Sequence, residues 1–575
     1  MDSRTAAHVL SQISALLEIK GAQRFKAKAY TRAARAVVAL DTDDLGALLS
    51  SGELAATPGI GPATLSVISD LVESGESSYL ARLREGVPEG LIGLMRVPGL
   101  TPARIQAIHE ELGIDTVEQL EEAARDGRLA TLPKLGAKTA ERILNGLQFQ
   151  RRSARLVRYP VAAIEADLLR ASVGKHPDVT RATVAGSVRR FVEVAADLDV
   201  VAECTDPVKV ADSCARSPGV KSAKRSADAR SAMIEFVDGT LFDIHCATKA
   251  EFPVALWRAT GSHEHVDQIL EHLEKNGFAL DGDRLVTKKG KAVRLASENA
   301  FYKALGMKPI PPELREGRGE IEAALNGALP ELVTFDDLRG VLHCHTDYSD
   351  GTATIAEMAE AARERGWSYI GISDHSEAAF YAGGLKRDAV LRQHDEIDEV
   401  NSKMRGFTVL KGIEADILAD GRIDYDSALL GRFDFVIGSI HSRFSMDREK
   451  MTARVLAAMD DPHLTILAHP TGRLLLSREG YSIDLGAVIE KAADTGVAIE
   501  INADPARLDI DWRYCHAAKD RGVTFEIGPD AHSTAGLDNV HFGIGMARKG
   551  WLEAANILNA RDSAGVLAFA RARRK

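Results

Sequence analysis

Cysteine is scarce in this 575-residue chain: there are five, Cys204, Cys214, Cys246, Cys344 and Cys515, and no two stand at CxxC spacing. That excludes a disulfide-stapled secreted scaffold and a cysteine zinc module, and it points to a reducing, cytoplasmic compartment. Long apolar runs are also missing. The longest, such as 433–440, carry polar interruptions and are far shorter than the ~20 residues needed to cross a bilayer, so no membrane partner is expected. No signal peptide is read at the start either, where Met1-Asp2-Ser3-Arg4 leads directly into an amphipathic helix.

What is present fits a soluble multidomain protein. The length predicts about three or four domains, and 45% hydrophobic with 27% charged residues is ordinary globular composition. A net charge of −11 argues at first against nucleic acid. The acid, however, is concentrated beyond residue 330, and a multi-metal site needs carboxylates whose field bound cations would invert. Total charge therefore does not exclude DNA.

The first segment reads as helix broken by Pro-Gly turns. Thr57-Pro58-Gly59-Ile60-Gly61, Val97-Pro98-Gly99-Leu100-Thr101 and Leu132-Pro133-Lys134-Leu135-Gly136 are alike, each followed by a residue able to start a helix. Such a hairpin exposes backbone N–H groups at a helix N-terminus, which suits a phosphate. One turn alone is equally well a connector; three at similar spacing resemble helix-hairpin-helix elements, which would place Gly59, Gly61, Gly99 and Gly136 against a DNA backbone. Ahead of them, Arg24-Phe25-Lys26-Ala27-Lys28-Ala29-Tyr30 begins a basic helix with aromatic interleaving. It is either a solvated face or a phosphate grip through Lys26 and Tyr30.

In the middle segment Asp197 and Asp199 stand two apart on an expected strand over 197–201, so both carboxylates share one face. Asp243 falls on a hairpin whose turn is Asp238-Gly239. Three converging carboxylates repel one another unless divalent cations lie between them. Gly186 and Ser187 offer N–H groups and a hydroxyl to phosphate oxygens, with Arg190 as a charge partner. The order GSxRR, DxD, strand Asp resembles the catalytic core of the family X DNA polymerases. That resemblance implies Asp197, Asp199 and Asp243 as Mg²⁺ ligands, Gly186, Ser187, Arg190, Gly261 and Ser262 as nucleotide contacts, and Lys26 and Tyr30 as holders of a 5′-phosphate. Four positions depart from the family: Val67 replaces the lyase lysine, Arg258-Ala259 an aromatic pair beside the sugar, Val266 a base-contacting Asn, and Phe191 a Gly. Lyase activity is not carried over.

Beyond residue 340, seven short strands (341–345, 369–374, 409–414, 435–441, 465–469, 498–502, 524–530) alternate with helices, which implies a parallel sheet closing into a barrel. His343 and His345 share a strand face; His375, Glu414, His441, His469, Asp530 and His532 stand at or just past strand ends, and Asp350 follows the first strand. In parallel barrels those ends form the active site. The pattern resembles the PHP (polymerase and histidinol phosphatase) domain, which implies these nine as ligands of three ions, Mn²⁺ or Zn²⁺. Arg443 and Arg473 are candidate phosphate contacts or surface arginines, and Asp374 a candidate second support for a ligand histidine.

The expected architecture is a helix-hairpin-helix all-α domain (1–155), an α+β nucleotidyltransferase-like palm with thumb (156–325), a linker (326–338) and a PHP distorted (β/α)7 barrel (339–575). The expected activity is gap-filling DNA synthesis in base-excision repair with a metal-dependent 3′-5′ exonuclease. Its partners would be gapped or primer-template DNA and dNTPs, and it would act as a nucleoid-associated monomer. Three alternatives stay open: an end-processing hydrolase with a weak polymerase core, a DNA-binding scaffold without chemistry, and a small-molecule phosphatase.

Overall fold

The computed structural model describes the chain except for residues 21–23, 39, 41, 43, 86, 96, 98–99, 133–134 and 575. Its contacts divide the chain into two compact units, Met1–Ala154 and Arg155–Lys575.

The first unit is helical throughout its described residues and holds two hydrophobic cores. One gathers Leu10, Ile13, Ala27, Tyr30, Val37 and Ile68; the other gathers Leu94, Ile105, Ile108, Leu120 and Ile143. Helix starts are written locally. Asp2 accepts from the N–H of Thr5 and Thr101 from that of Arg104, and proline opens Pro62–Ser74 and Pro102–Leu112, where its missing N–H costs nothing.

The second unit begins with a five-stranded mixed sheet in the order Val179–Val184, Leu198–Cys204, Leu241–Ala247, Ser231–Phe236, Val220–Arg225. The central pair is parallel and sets Asp199 directly beside Asp243; the expected hairpin pairs Ser231–Phe236 with Leu241–Ala247. Helices Phe252–Thr260 and His263–Lys275 follow, packed around buried Trp257, Phe301 and Tyr302. The sequence expectation is a series of helical segments to about residue 325, with 309–312 extended. The structure instead inserts a hairpin, Phe278–Asp281 with Arg284–Thr287, turned at Gly282, because alternating side chains there suit a sheet surface better than a helix face. The 326–338 segment is packed rather than loose: Val333 is fully buried and donates its N–H to the carbonyl of Leu552.

The last region has eight short parallel strands rather than seven. The expected 409–414 strand splits into Thr408–Lys411 and Glu414–Asp416 across Gly412, where a Cβ would lie 2.2 Å from the Phe435 ring. The eight strands form two parallel sheets of three and five strands. Their edges meet through isolated bridges, Cys344 with Ala531 and His375 with Glu414. Both bridges lie at or beside candidate ligands.

Candidate metal centres and nucleic-acid interface

The carboxylate centre of the mixed sheet is half-buried. Asp197 stands one residue before the Leu198–Cys204 strand, and Asp199 and Asp243 lie side by side in register. Gly186, at φ +58, abuts them: a Cβ there would fall 1.7 Å from Asp199 Oδ2, so only glycine lets the turn approach the carboxylate. Burial first, then the charges of Asp197 and Asp243, push Asp199 up to about 7, with Arg190 opposing. Burial and Asp197 likewise raise Asp243 to about 6. Asp243 Oδ1 and Ser187 Oγ are buried and make no hydrogen bond. Repelling carboxylates with an unused oxygen, beside an unused hydroxyl, fit a divalent cation and a phosphate.

Arg190 donates through Nη1 to the carbonyl of Thr260 (2.8 Å) and through Nε to Glu316 (2.9 Å). This brings Gly261 and Ser262 next to the turn in sequence, but the Ser262 hydroxyl already caps the His263–Lys275 helix by accepting from the N–H of His265. Arg258 is drawn to Asp283 (2.8 Å) and the carbonyl of Gly282, and Val266 lies partly buried in the thumb core.

The histidine centre is buried and much denser. Three overlapping sets bring ligand atoms within 4.8 Å of one another: His345, Asp350, His375 and His532; His343, His345 and Asp530; His375, Glu414 and His441. The ninth candidate, His469, joins through Nε2 at 3.1 Å from Glu414 Oε1. Glu414 is the hub, since His343, His345 and His441 also approach it at 3.5, 3.6 and 3.2 Å. Among the described residues no such set forms around Asp197, Asp199 and Asp243, which converge less tightly.

Charge inside this pocket is balanced by protons. Burial opposes the cationic form of His375, yet Glu414 and Asp350 hold it up at about 10. His441 and His532 are held at about 9 against burial by Glu414 and by Asp350 respectively. His345 goes the other way, down to about 3, through burial and the neighbouring His532 and His375. Nε2 of His343 and both ring nitrogens of His345 are buried without a hydrogen-bond partner. His469 and Asp530 occupy positive φ, 25° and 50°, a strain typical of functional positions. Unused imidazole nitrogens facing carboxylates fit transition-metal ions.

Several supports were not legible in the sequence. His343 Nδ1 donates to Glu500 (2.5 Å), whose other oxygen accepts from the N–H of His469 (2.6 Å). His441 Nδ1 donates to Asp416 (2.8 Å), which aims Nε2 inward at Glu414. Arg507 sets Nε 3.3 Å from Asp530 Oδ2, and Asn502 donates to the same oxygen (3.0 Å). The alternation of Glu500 and Asn502 on one strand was the available signal. Two expectations are corrected. Asp374 binds Thr346, Ser349 and Gln393 and so fastens the Asp350 loop rather than a histidine. Arg473 is consumed by the carbonyls of Arg507 and Leu508 and by Asp511, so the arginine at the centre is Arg507. Arg443 is exposed.

In the first unit Gly59, Gly61 and Gly136 are exposed, the last two as N-caps of Pro62–Ser74 and Ala137–Ser153; Gly99, Pro98, Pro133 and Lys134 lie outside the described residues. Lys26 is exposed, its Nζ 5.1 Å from the Tyr79 ring centre. Tyr30 is only 3% exposed and stacks on Tyr79, so it is a core residue with little surface for a phosphate. All five cysteines are free, and no described helix is long and apolar enough to cross a membrane.

Known families match along the chain: a helix-hairpin-helix domain at 1–77, a SAM-like helix-hairpin-helix tandem at 91–148, the DNA polymerase beta thumb at 255–316 and the PHP domain at 342–504. The DNA polymerase/3′-5′ exonuclease PolX of Bacillus subtilis (strain 168) is 36% identical over 573 residues, 99% of each chain. A probable phosphatase of Caldanaerobacter subterraneus subsp. tengcongensis is 33% identical over 215 residues, 34% of this chain and 77% of its own. One of Clostridium acetobutylicum is 30% identical over 210 residues, 34% of this chain and 80% of its own.

Proposed function

The chain belongs to the PolX family, the family X DNA polymerases that carry a PHP domain, and on that premise we propose that it fills short gaps in DNA during base-excision repair while its histidine centre trims 3′ ends. The observation that carries this reading is the pairing, in one compact unit, of an Asp197/Asp199/Asp243 centre with three interlocking histidine–carboxylate sets. Asp197, Asp199 and Asp243 would hold Mg²⁺, and the nine histidine-centre ligands three Mn²⁺ or Zn²⁺ ions, which when bound would supply Lewis-acid charge compensation for phosphoryl transfer. The residues do the rest. The N–H groups and hydroxyl of Gly186 and Ser187, with Arg190, hold a nucleotide triphosphate, and the sheet presents Asp199 and Asp243 to the primer end. In the histidine centre Glu500 and Asp416 fix ring orientation, and Arg507 offers a fixed cation to a phosphate oxygen. The exposed Phe380 (84%) and Tyr381 (61%), the latter 6.3 Å from the His441 ring, provide stacking surfaces for an unpaired base at the mouth. The helical unit grips the duplex backbone without reading sequence, and the enzyme works as a monomer at the nucleoid.

The test is one labelled, gapped, 5′-phosphorylated duplex incubated with Mn²⁺, with and without dNTPs. Extension is expected with dNTPs and shortening without them. Asp197→Ala with Asp199→Ala should abolish extension alone; extension that persists in this variant sinks the polymerase assignment. A second reading, an end-processing hydrolase with a weak polymerase core, is favoured by the engagement of Arg258 with Asp283 where relatives carry an aromatic beside the sugar. Robust wild-type extension in the same assay would remove it.

A further inference from the structure

The turn that would hold the triphosphate is fastened to the PHP domain. Phe191, one residue past Arg190 and at φ 60, lays its ring against the Val540–Lys549 helix at Gly545, where a Cβ would fall 2.0 Å from a ring atom. The same ring stacks on Tyr159 with centres 3.9 Å apart. Two residues further on, the Glu193 carboxylate accepts from Trp512 Nε1 (3.1 Å) and Arg513 (2.9 Å), both on the PHP side. A family X member with glycine at position 191 lacks that ring; here it is a knob in a socket.

At the centre of this contact is Lys549, whose side chain is completely buried. Its ammonium pairs with Glu316, donates to the carbonyl of Arg190 (3.0 Å), and lies 4.4 Å from the Trp512 ring centre. Glu316 Oε1 is the same oxygen that accepts from Arg190 Nε. One carboxylate is therefore shared by a polymerase arginine and a PHP lysine. We propose that Lys549 is a positioning residue for nucleotide binding: by sharing the Glu316 carboxylate it weakens that group's hold on the Arg190 guanidinium, which turns to phosphate more readily, so that the PHP domain sets the nucleotide affinity of the polymerase centre. Without Lys549, Glu316 holds a full negative charge against Arg190 and competes with the triphosphate for it. Burial, opposed by Glu316, lowers Lys549 to about 8, with Arg190 lowering it further and Glu193 raising it. The proposal rests on the reading of Arg190 as a triphosphate contact.

The experiment measures the dNTP KM and kcat for single-nucleotide gap filling, together with exonuclease rate and melting curve, in full-length variants. Lys549→Met should raise KM about tenfold, with kcat and exonuclease within about twofold of wild type. Adding Glu316→Gln to Lys549→Met should bring KM back near the wild-type value, a rescue that a merely structural lysine would not give. An unchanged KM in a folded Lys549→Met protein overturns the proposal, as does a raised KM that Glu316→Gln fails to relieve. Arg190→Ala separates the two levels: if it leaves KM unchanged the triphosphate assignment itself is wrong, and the inference falls with it. Should Lys549→Met not fold, the wild-type pH profile decides. KM should climb as pH passes about 8, where Lys549 loses its proton, and stay flat in Glu316→Gln; a flat wild-type profile overturns the proposal.

Discussion

The two centres of the second unit solve the same electrostatic problem in opposite ways. In the mixed sheet, three like charges face one another with few counter-charges, so burial and mutual repulsion raise two of the carboxyls, Asp199 to about 7 and Asp243 to about 6. In the PHP domain, carboxylates alternate with imidazoles, and protons sit on the histidines, three of them at about 9 to 10. The first centre is half-buried and loosely converged; the second is buried and cross-braced by Glu500, Asp416 and Arg507. A loose, acidic centre suits ions that arrive with a nucleotide and leave with pyrophosphate. A braced histidine cage suits ions that stay.

The sharpest way to break this contrast is at the hub. Glu414→Gln removes the carboxylate charge that five histidines approach. It should lower exonuclease activity by about 10³ or more and strip metal from the PHP domain, leaving gap filling intact. Metal analysis alongside both assays checks it; a nuclease that retains activity would mean the cage is not the reaction centre. Glu500→Gln acts one layer out, on the orientation of His343, and should weaken metal affinity about 10–100-fold, restored by excess Mn²⁺ in a nuclease titration.

Proton release should separate the centres next. At pH 8, loading the PHP domain must displace protons from His343, His375, His441 and His532, several per site, whereas Mg²⁺ binding at Asp199 and Asp243 should release almost none. At pH 6 the carboxylates are protonated too, so Mg²⁺ affinity should fall as pH drops below about 7. Calorimetry in two buffers of different ionisation enthalpy reads both. Equal proton counts at pH 8 would erase the distinction. The smallest effect is expected at the mouth. Phe380→Ala removes one stacking surface worth about 1–3 kcal/mol per base, so KM for an unpaired 3′ end should rise several-fold while hydrolysis of bis(p-nitrophenyl) phosphate stays unchanged.

Much of this was written in local order. Strand periodicity puts Asp197 and Asp199 on one face, Asp238-Gly239 announces the hairpin that carries Asp243, and ligand-type residues at successive strand ends mark the PHP centre. Less legible were residues whose role depends on what a distant segment brings. Tyr30 looked like a phosphate holder because its helix is basic, but its position on the inner face buries it. Arg473 closely follows a ligand histidine and Arg507 follows none, and only the fold around Leu508 ties the first away and turns the second toward Asp530.

By itself, then, the chain determined which side chains carry chemistry, because ligand type and two-residue or strand-end spacing are local properties. The tertiary structure alone decided how they are supported: the split at Gly412, the bracing by Glu500 and Asp416, and the sharing of Glu316 by Arg190 and Lys549. Those partners lie from more than twenty to more than two hundred residues apart. Their pairing is fixed by which buried charges find a counter-charge when the cores close, a condition no single segment can express.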